Sequence, residues 1–316
     1  MSVSNIIDTI NTPEFAGELF TADAVNTPLL SLIGGLSGGY STGNEEFPTS
    51  VLYNYPNAKQ PEISELEAVN APPASFITKA QATNVVQIFQ ESLEITYARK
   101  ATSSALAPIQ NPNGPGAAAD ELEWQIAQRL KIVARDIEHT FLNGSYQKRA
   151  SVSQANKTRG LIELCTVNSL DADGEALTAG TLKGFFRQLA DNGAYLDDMI
   201  IFVNSTLKQA LTDIYAAQLG FGIQLPKNTA GLNITEIETD FFKCGIVYDR
   251  FMPQDSLLIA DVAHIVPVFQ TIPGKGNFFV EELSKTGASE KFQLYGHIGL
   301  GHGPAFLHGV IKNIAV

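Results

Sequence analysis

An α+β fold with parts that project from its body is the architecture this sequence predicts, and three observations carry it. Residues 120–143 repeat apolar side chains at steps of four and three, the mark of one long amphipathic helix. Residues 44–97 hold two strand-like runs around a proline-containing stretch, a ribbon with no third strand to complete it. From about residue 177 short helical patterns alternate with buried strand-like runs, and the tail reads as strands and turns.

The first 43 residues read as an arm. Short apolar spots, among them Phe15, Leu19-Phe20, Leu29-Leu30 and Leu32-Ile33, are interrupted by Pro13 and Pro28. The segment runs into Gly34-Gly35 and Gly38-Gly39, which break regular structure. Apolar spots without periodicity have to be buried on something else. A neighbouring copy is the expected surface, with Phe15, Leu19 and Phe20 as the arm's contact positions.

Residues 44–97 follow as an extended β-hairpin loop. Phe47, Val51, Tyr53 and Tyr55 belong to the strand running out, and Pro56, Pro61 and Pro72-Pro73 mark the irregular tip and early return. The returning strand spans residues 83–97. Its alternation slips phase between Val86, Ile88 and Leu93, Ile95, Tyr97, which predicts a bulge or strong twist there. A lone ribbon of this length is marginal in water. Tyr53, Tyr55, Val86, Ile88 and Phe89 are therefore expected to rest on an adjacent copy.

Residues 98–176 begin with a loop (Pro108, Pro112, Gly114, Pro115, Gly116) and then the long helix. Leu122, Ile126, Leu130, Val133, Ile137 and Phe141 form its apolar stripe. Asp120 is the expected cap, Glu121 and Glu123 suit the positive end of the dipole, and Asn143-Gly144 is read as a left-handed stop. At about 1.5 Å per residue the helix reaches roughly 35 Å.

Residues 177–261 read as α/β: a short helix with Leu182, Phe185, Phe186 and Leu189 ended by Asn192-Gly193, a buried strand at 199–203, and a helix capped by Asn204 or Ser205 carrying Leu207, Leu211 and Ile214. Strands are expected at 234–239, 245–249 and 256–260. Residues 262–316 supply strands at 265–271, 277–283, 291–299 and 306–314.

Composition narrows the function. The chain has 316 residues and a net charge of −12, with six acids and no base before Lys59, an unfavourable start for gripping phosphates. Lys148, Arg149, Lys157 and Arg159 read as a solvated loop face, so sequence-specific nucleic-acid binding is not expected. No apolar run is long enough to span a membrane, and no basic start marks a signal peptide. Cys165 and Cys244 stand far apart and read as two buried thiols.

The catalytic inventory is empty. His297, His302 and His308 are spaced five and six apart, which suits no zinc ligand pair. The glycine-rich stretch 296–303 does not match GxGxxG, and no GxSxG is present. Glu121, Glu123, Asp136 and Glu138 read as solvated partners of Arg129, Lys131 and Arg135 on an exposed helix face. No enzyme, cofactor or metal is expected.

The order of motifs resembles one family. Glu121-Leu122-Glu123-Trp124-Gln125, Arg135-Asp136-Ile137-Glu138 and Phe141-Leu142-Asn143-Gly144 look like the spine helix of tailed-bacteriophage major capsid proteins. Asn84-Val85-Val86-Gln87-Ile88-Phe89, Arg159-Gly160-Leu161-Ile162, Glu238-Thr239-Asp240-Phe241, Arg250-Phe251-Met252-Pro253, residues 283–288 and His308-Gly309-Val310-Ile311 stand in the family's order. The resemblance implies the Hong Kong 97-type capsid fold: N-terminal arm, extended β-loop, peripheral domain with the spine helix, and axial domain. It also implies a subunit of the virion, assembled in the host cytoplasm into hexamers and pentamers around double-stranded DNA. The implied partners are other copies of itself, a portal, a separate scaffolding protein or none, and a decoration protein. The family pattern has Gly where this chain has Phe242, and often an acid near the position of His297.

Rival readings remain: an encapsulin-type nanocompartment shell, which shares the fold; an acidic cytosolic enzyme with an unrecognised site; and a tail or fibre component, expected to show repeats that are absent here.

Overall fold

Apolar strands buried on both faces organise this molecule, and the computed structural model describes residues 27–36, 38–71, 76–98, 121–219, 236–285 and 287–315. In chain order, α1 (Pro28–Leu32) and β1 (Tyr40–Ser41) precede the ribbon strands β2 (Glu46–Asn54) and β3 (Thr78–Val85), and β4 (Gln87–Thr96) continues from β3. The long helix α2 (Glu121–Asn143) is followed by α3 (Leu161–Leu164), β5 (Ser169–Asp171), α4 (Ala179–Asp191), β6 (Met199–Val203) and α5 (Ser205–Leu219). Then come β7 (Glu236–Glu238), β8 (Lys243–Tyr248), β9 (Leu257–Asp261), β10 (Val266–Phe269), β11 (Phe278–Leu283), β12 (Ser289–Gly301) and β13 (Gly309–Lys312).

A six-stranded sheet runs β5-β13-β9-β6-β8-β7. Its middle strands explain their own composition. Along β9, Leu258 and Ala260 enter one core while Leu257 and Ile259 enter another. Phe202 of β6 joins the first core, and Met199, Ile201 and Val203 join the second. Strands with both faces covered are apolar at every position, which is why 199–203 reads as an unbroken run. On one side α4 and α5 pack through Leu182, Phe185, Phe186, Leu189, Leu207 and Leu211. Asn204 caps α5 by accepting from Leu207 N at 2.8 Å. Gly193, at φ +82°, follows the end of α4 in the left-handed region.

On the other side lies α2, whose stripe from Ile126 to Phe141 is buried against both sheets. The second sheet is built around β12. One of its edges pairs with β4 from Ser289↔Thr96 to Ile298↔Gln87. The opposite edge is shared by β11, from Phe278↔Gly296 to Leu283↔Lys291, and then β10, from Phe269↔Ile298 to Val266↔Gly301.

Four expectations need correction. The arm's Leu29 and Leu30 are fully buried in this chain's own core, with Ile33 and Leu36 beside them. The arm root therefore belongs to the body and carries a helical turn. The returning ribbon strand changes partner at Val86: β3 pairs β2, and β4 pairs β12. The phase slip sits there, since Phe89, Leu93 and Ile95 share one inward face of β4. Gly144 is absent from the positive-φ residues and is needed instead for close approach, because a Cβ there would meet Thr140 O at 2.4 Å and Thr158 O at 2.6 Å. At the C-terminal end, residues 305–307 form a 3-10 turn before β13 rather than part of a strand.

Candidate assembly surfaces

The ribbon β2–β3 has a polar, tightly bonded root. Asn84 is completely buried. Its Nδ2 donates to Leu300 O at 2.8 Å, and its Oδ1 accepts from Arg159 N at 2.8 Å and Val85 N at 2.9 Å. Phe47, Val86 and Val268 make a small apolar cluster just beneath. Two ion pairs flank the root, Arg149 with Glu45 and Lys148 with Glu46. Thr83 Oγ1 also donates to Glu46 at 2.7 Å. The bonds from Lys148 and Thr83 hold the Glu46 carboxyl below its ordinary range. The basic loop thus fastens the ribbon, a correction to its reading as a merely solvated face.

Beyond a register shift between Pro48 and Ser50 the ribbon leaves the body. A bulge at that point adds local twist and re-aims the strands. From there outward the apolar side chains have no support of their own: Phe76 is 93% exposed, Leu66 83% and Val69 79%, with Ile63 and Ile77 also exposed. The tip keeps local order through Ser64, whose N and Oγ both donate to Glu67 Oε2, at 3.0 Å and 2.9 Å. Several large apolar side chains left exposed on one projecting element are a feature of interaction surfaces.

The eight expected contact residues divide. Tyr53 and Tyr55 are exposed on the ribbon, their ring centroids 6.3 Å apart. Ile88 is exposed on the outer face of β4. Val86 and Phe89 are buried inside their own chain: Val86 fills the root cluster, and Phe89 points into the main core. Phe15, Leu19 and Phe20 lie outside the described residues. Sequence reasoning passed over Ile63, Leu66, Val69, Phe76 and Ile77. Their signal was present as isolated apolar residues in an otherwise polar, proline-containing loop.

Among the described residues the buried His302 Nε2 has no hydrogen-bond partner, whereas His308 uses both ring nitrogens. His308 Nε2 donates to His302 O at 2.7 Å, and its Nδ1 accepts from Asp261 N at 3.2 Å. Burial holds both His302 and His308 down at about 4. Cys165 and Cys244 are buried, as expected, and burial pushes both thiols up to about 12. Phe242 packs edge-on against Phe186, centroids 5.3 Å apart, which gives a use for the ring where Gly was the family pattern. His297 lies between Tyr295 and Gln270, at 2.6 Å and 2.9 Å. Glu138 is not solvated but fully buried, a second correction. Among the described residues no helix is long and apolar enough to cross a membrane.

Comparison with known proteins gives a consistent picture. The family described as SU10 major capsid protein matches residues 3–315. Among solved structures, the cyanophage A-1(L) capsid asymmetric unit aligns with TM-score 0.66 at 12% identity, covering 92% of this chain and 94% of that one. A Mycobacterium phage Adephagia chain aligns at 0.56 and 13% identity, with 99% and 97% covered. The holo-SrpI encapsulin complex from Synechococcus elongatus PCC 7942 aligns at 0.55 and 10% identity, with 99% and 96% covered. At these identities the structural likeness is one of fold. No curated protein matches the chain.

Proposed function

The chain belongs to the SU10 major capsid protein family, and we propose that its ribbon is the part that ties one copy to the next in the shell of the head. It is the major capsid protein of a tailed bacteriophage, a structural component of the virion with the Hong Kong 97-type fold. The reading of its mechanics rests on one observation: the ribbon's root is clamped by buried bonds while its tip carries apolar side chains that its own body leaves in water.

The tip seats on a neighbouring copy, where Tyr53, Tyr55, Leu66 and Phe76 supply the apolar contact. Each contact is modest. A fully buried side chain of this size contributes about 1.5–3 kcal/mol, and every 1.4 kcal/mol is about tenfold in affinity. Contacts repeated around each copy close hexamers and pentamers into an icosahedral shell around double-stranded DNA. The arm, through Phe15, Leu19 and Phe20, adds a further tie. The net charge of −12 gives packaged DNA little to adhere to. The role is structural rather than catalytic. Portal, scaffolding and decoration proteins are the further partners of such a shell.

Light scattering and negative-stain imaging of the purified protein test this reading. Closed shells or capsomer rings support it, and a compact monomer overturns it. The encapsulin alignment favours a second reading, a cellular compartment shell. Nucleic acid inside native particles supports the phage head, whereas enclosed protein cargo supports the compartment.

A further inference from the structure

The first turn of α1 is capped from a great distance along the chain. Thr27, the residue in the capping position, makes no side-chain cap bond, and Pro28 has no N–H to satisfy. The next two donors, Leu29 N and Leu30 N, both reach Glu138 on α2, at Oε1 and Oε2, each at 2.7 Å. Ser31 N bonds Thr27 O at 3.0 Å. One carboxyl group thereby closes the donors that a helix start leaves open.

Glu138 is fully buried, and so is Asp249, at the turn after β8. Asp249 N bonds Val203 O at 2.8 Å, and its Oδ1 accepts from Phe251 N at 2.8 Å. Asp249 Oδ2 is buried and meets no hydrogen-bond donor among the described residues. The Glu138 and Asp249 carboxyls bear on one another, and burial raises both above the ordinary carboxylate range. Two carboxylate oxygens bond only when one of them holds a proton.

We propose that a single proton shared between Glu138 and Asp249 locks three parts together, the arm root α1, the spine helix α2 and the turn 249–252, and that the joint loosens as pH rises because opening it releases this proton. Doubly ionised, the pair places two negative charges side by side out of water, and relief comes by admitting solvent between the parts. Burial first, then the Asp249 charge, pushes the Glu138 carboxyl well above the ordinary carboxylate range, so the pair keeps its proton at pH values where exposed acids have lost theirs.

The surroundings leave this control to the pair. α1 carries no ionisable side chain. On α2, Arg135 and His139 gather at the ring of Phe251, joined there by Arg250. Asp136 is exposed on the same helix, and Glu163 of α3 pairs with Arg159. The inference does not depend on shell assembly, since it concerns the joint within one chain.

Hydrogen exchange of the full-length protein from about pH 5 to about pH 10, corrected for intrinsic exchange, tests the joint. Protection at Leu29, Leu30 and Phe251 is expected to fall as pH rises above the ordinary carboxylate range, by about tenfold per unit, the slope of one linked proton, and to level off once the closed joint has itself given up the proton. Asp249→Asn, whose amide can donate to an ionised Glu138, is expected to flatten that dependence. Glu138→Gln, permanently neutral, flattens it as well. Infrared spectra of the wild type at neutral pH are expected to show one protonated buried carboxyl that Asp249→Asn lacks. Protection in the wild type that does not change with pH overturns the proposal, as does the absence of the protonated carboxyl band. An unchanged slope in a folded Asp249→Asn variant overturns it too.

Discussion

Asn84 Nδ2 donates to the carbonyl of Leu300 across 216 positions of sequence, fastening the ribbon's root to the last residues of β12. The same side chain accepts from Arg159 N, so one buried amide joins the ribbon, the sheet and the loop after α2. Asn84→Leu leaves Leu300 O and Arg159 N without their partner. Leaving buried polar groups unpaired costs about 1–3 kcal/mol each. A loss of roughly 3 kcal/mol in urea unfolding is expected. An unchanged midpoint would show that the root is held by other means.

Deleting residues 50–82 removes the ribbon beyond its bulge and leaves the root intact. The expected product is soluble and folded, with a normal near-ultraviolet circular dichroism spectrum, and fails to close shells. Normal particles in electron micrographs of this variant would refute the ribbon's assembly role.

Arg149 pairs with Glu45 at the ribbon's flank, and both side chains are partly exposed. Such pairs contribute about 0–1 kcal/mol, so Arg149→Ala is expected to leave the unfolding midpoint almost unchanged. Assembly is the sensitive readout. The variant should form shells more slowly, and added salt should slow the wild type while affecting the variant less.

The body depends on Phe141, fully buried where α2 meets both sheets. Phe141→Ala is expected to cost about 3–5 kcal/mol, measured by denaturant titration. A loss below about 1 kcal/mol would mean that the site collapses around the missing ring.

Acid acts through the buried histidines. Burial lowers His308 from 6.5 to about 4. The unfolded chain then binds more protons in that interval, so stability is full above about pH 6.5 and falls as pH drops towards about 4. The contribution of His308 is at most about 3 kcal/mol. Comparing the pH profile of unfolding with that of His308→Gln isolates it from the carboxyl pair, whose effect has the opposite sign. Parallel profiles would contradict the assignment.

Periodicity made much of this fold legible. The stripe along α2, the five apolar residues of β6 and the cap at Asn204 are local signals, each set by residues a turn or two apart. What stayed hidden depends on partners remote in sequence. Leu29 and Leu30 carry no periodic pattern, and their helical turn exists because Glu138 caps it from 109 and 108 positions away. Glu138 lies one step from the stripe and looks like a surface acid until its neighbours are seen. Alternation in 83–97 showed which side chains share a face, but not that the strand trades β2 for β12 at Val86. For the contact surface, Tyr53 and Tyr55 followed from strand pattern, whereas Leu66 and Phe76 sit in a segment with no pattern to read.

Because successive residues of β9 serve opposite compartments, neither compartment can shift alone without disturbing its neighbour through the shared wall. Sliding that strand by one place would exchange Leu258 and Ala260 for Leu257 and Ile259 and misfill both. Such a middle behaves as a stiff tile. Differences in curvature from place to place over a closed surface are then expected to be absorbed outside this middle, along the ribbon beyond its register shift.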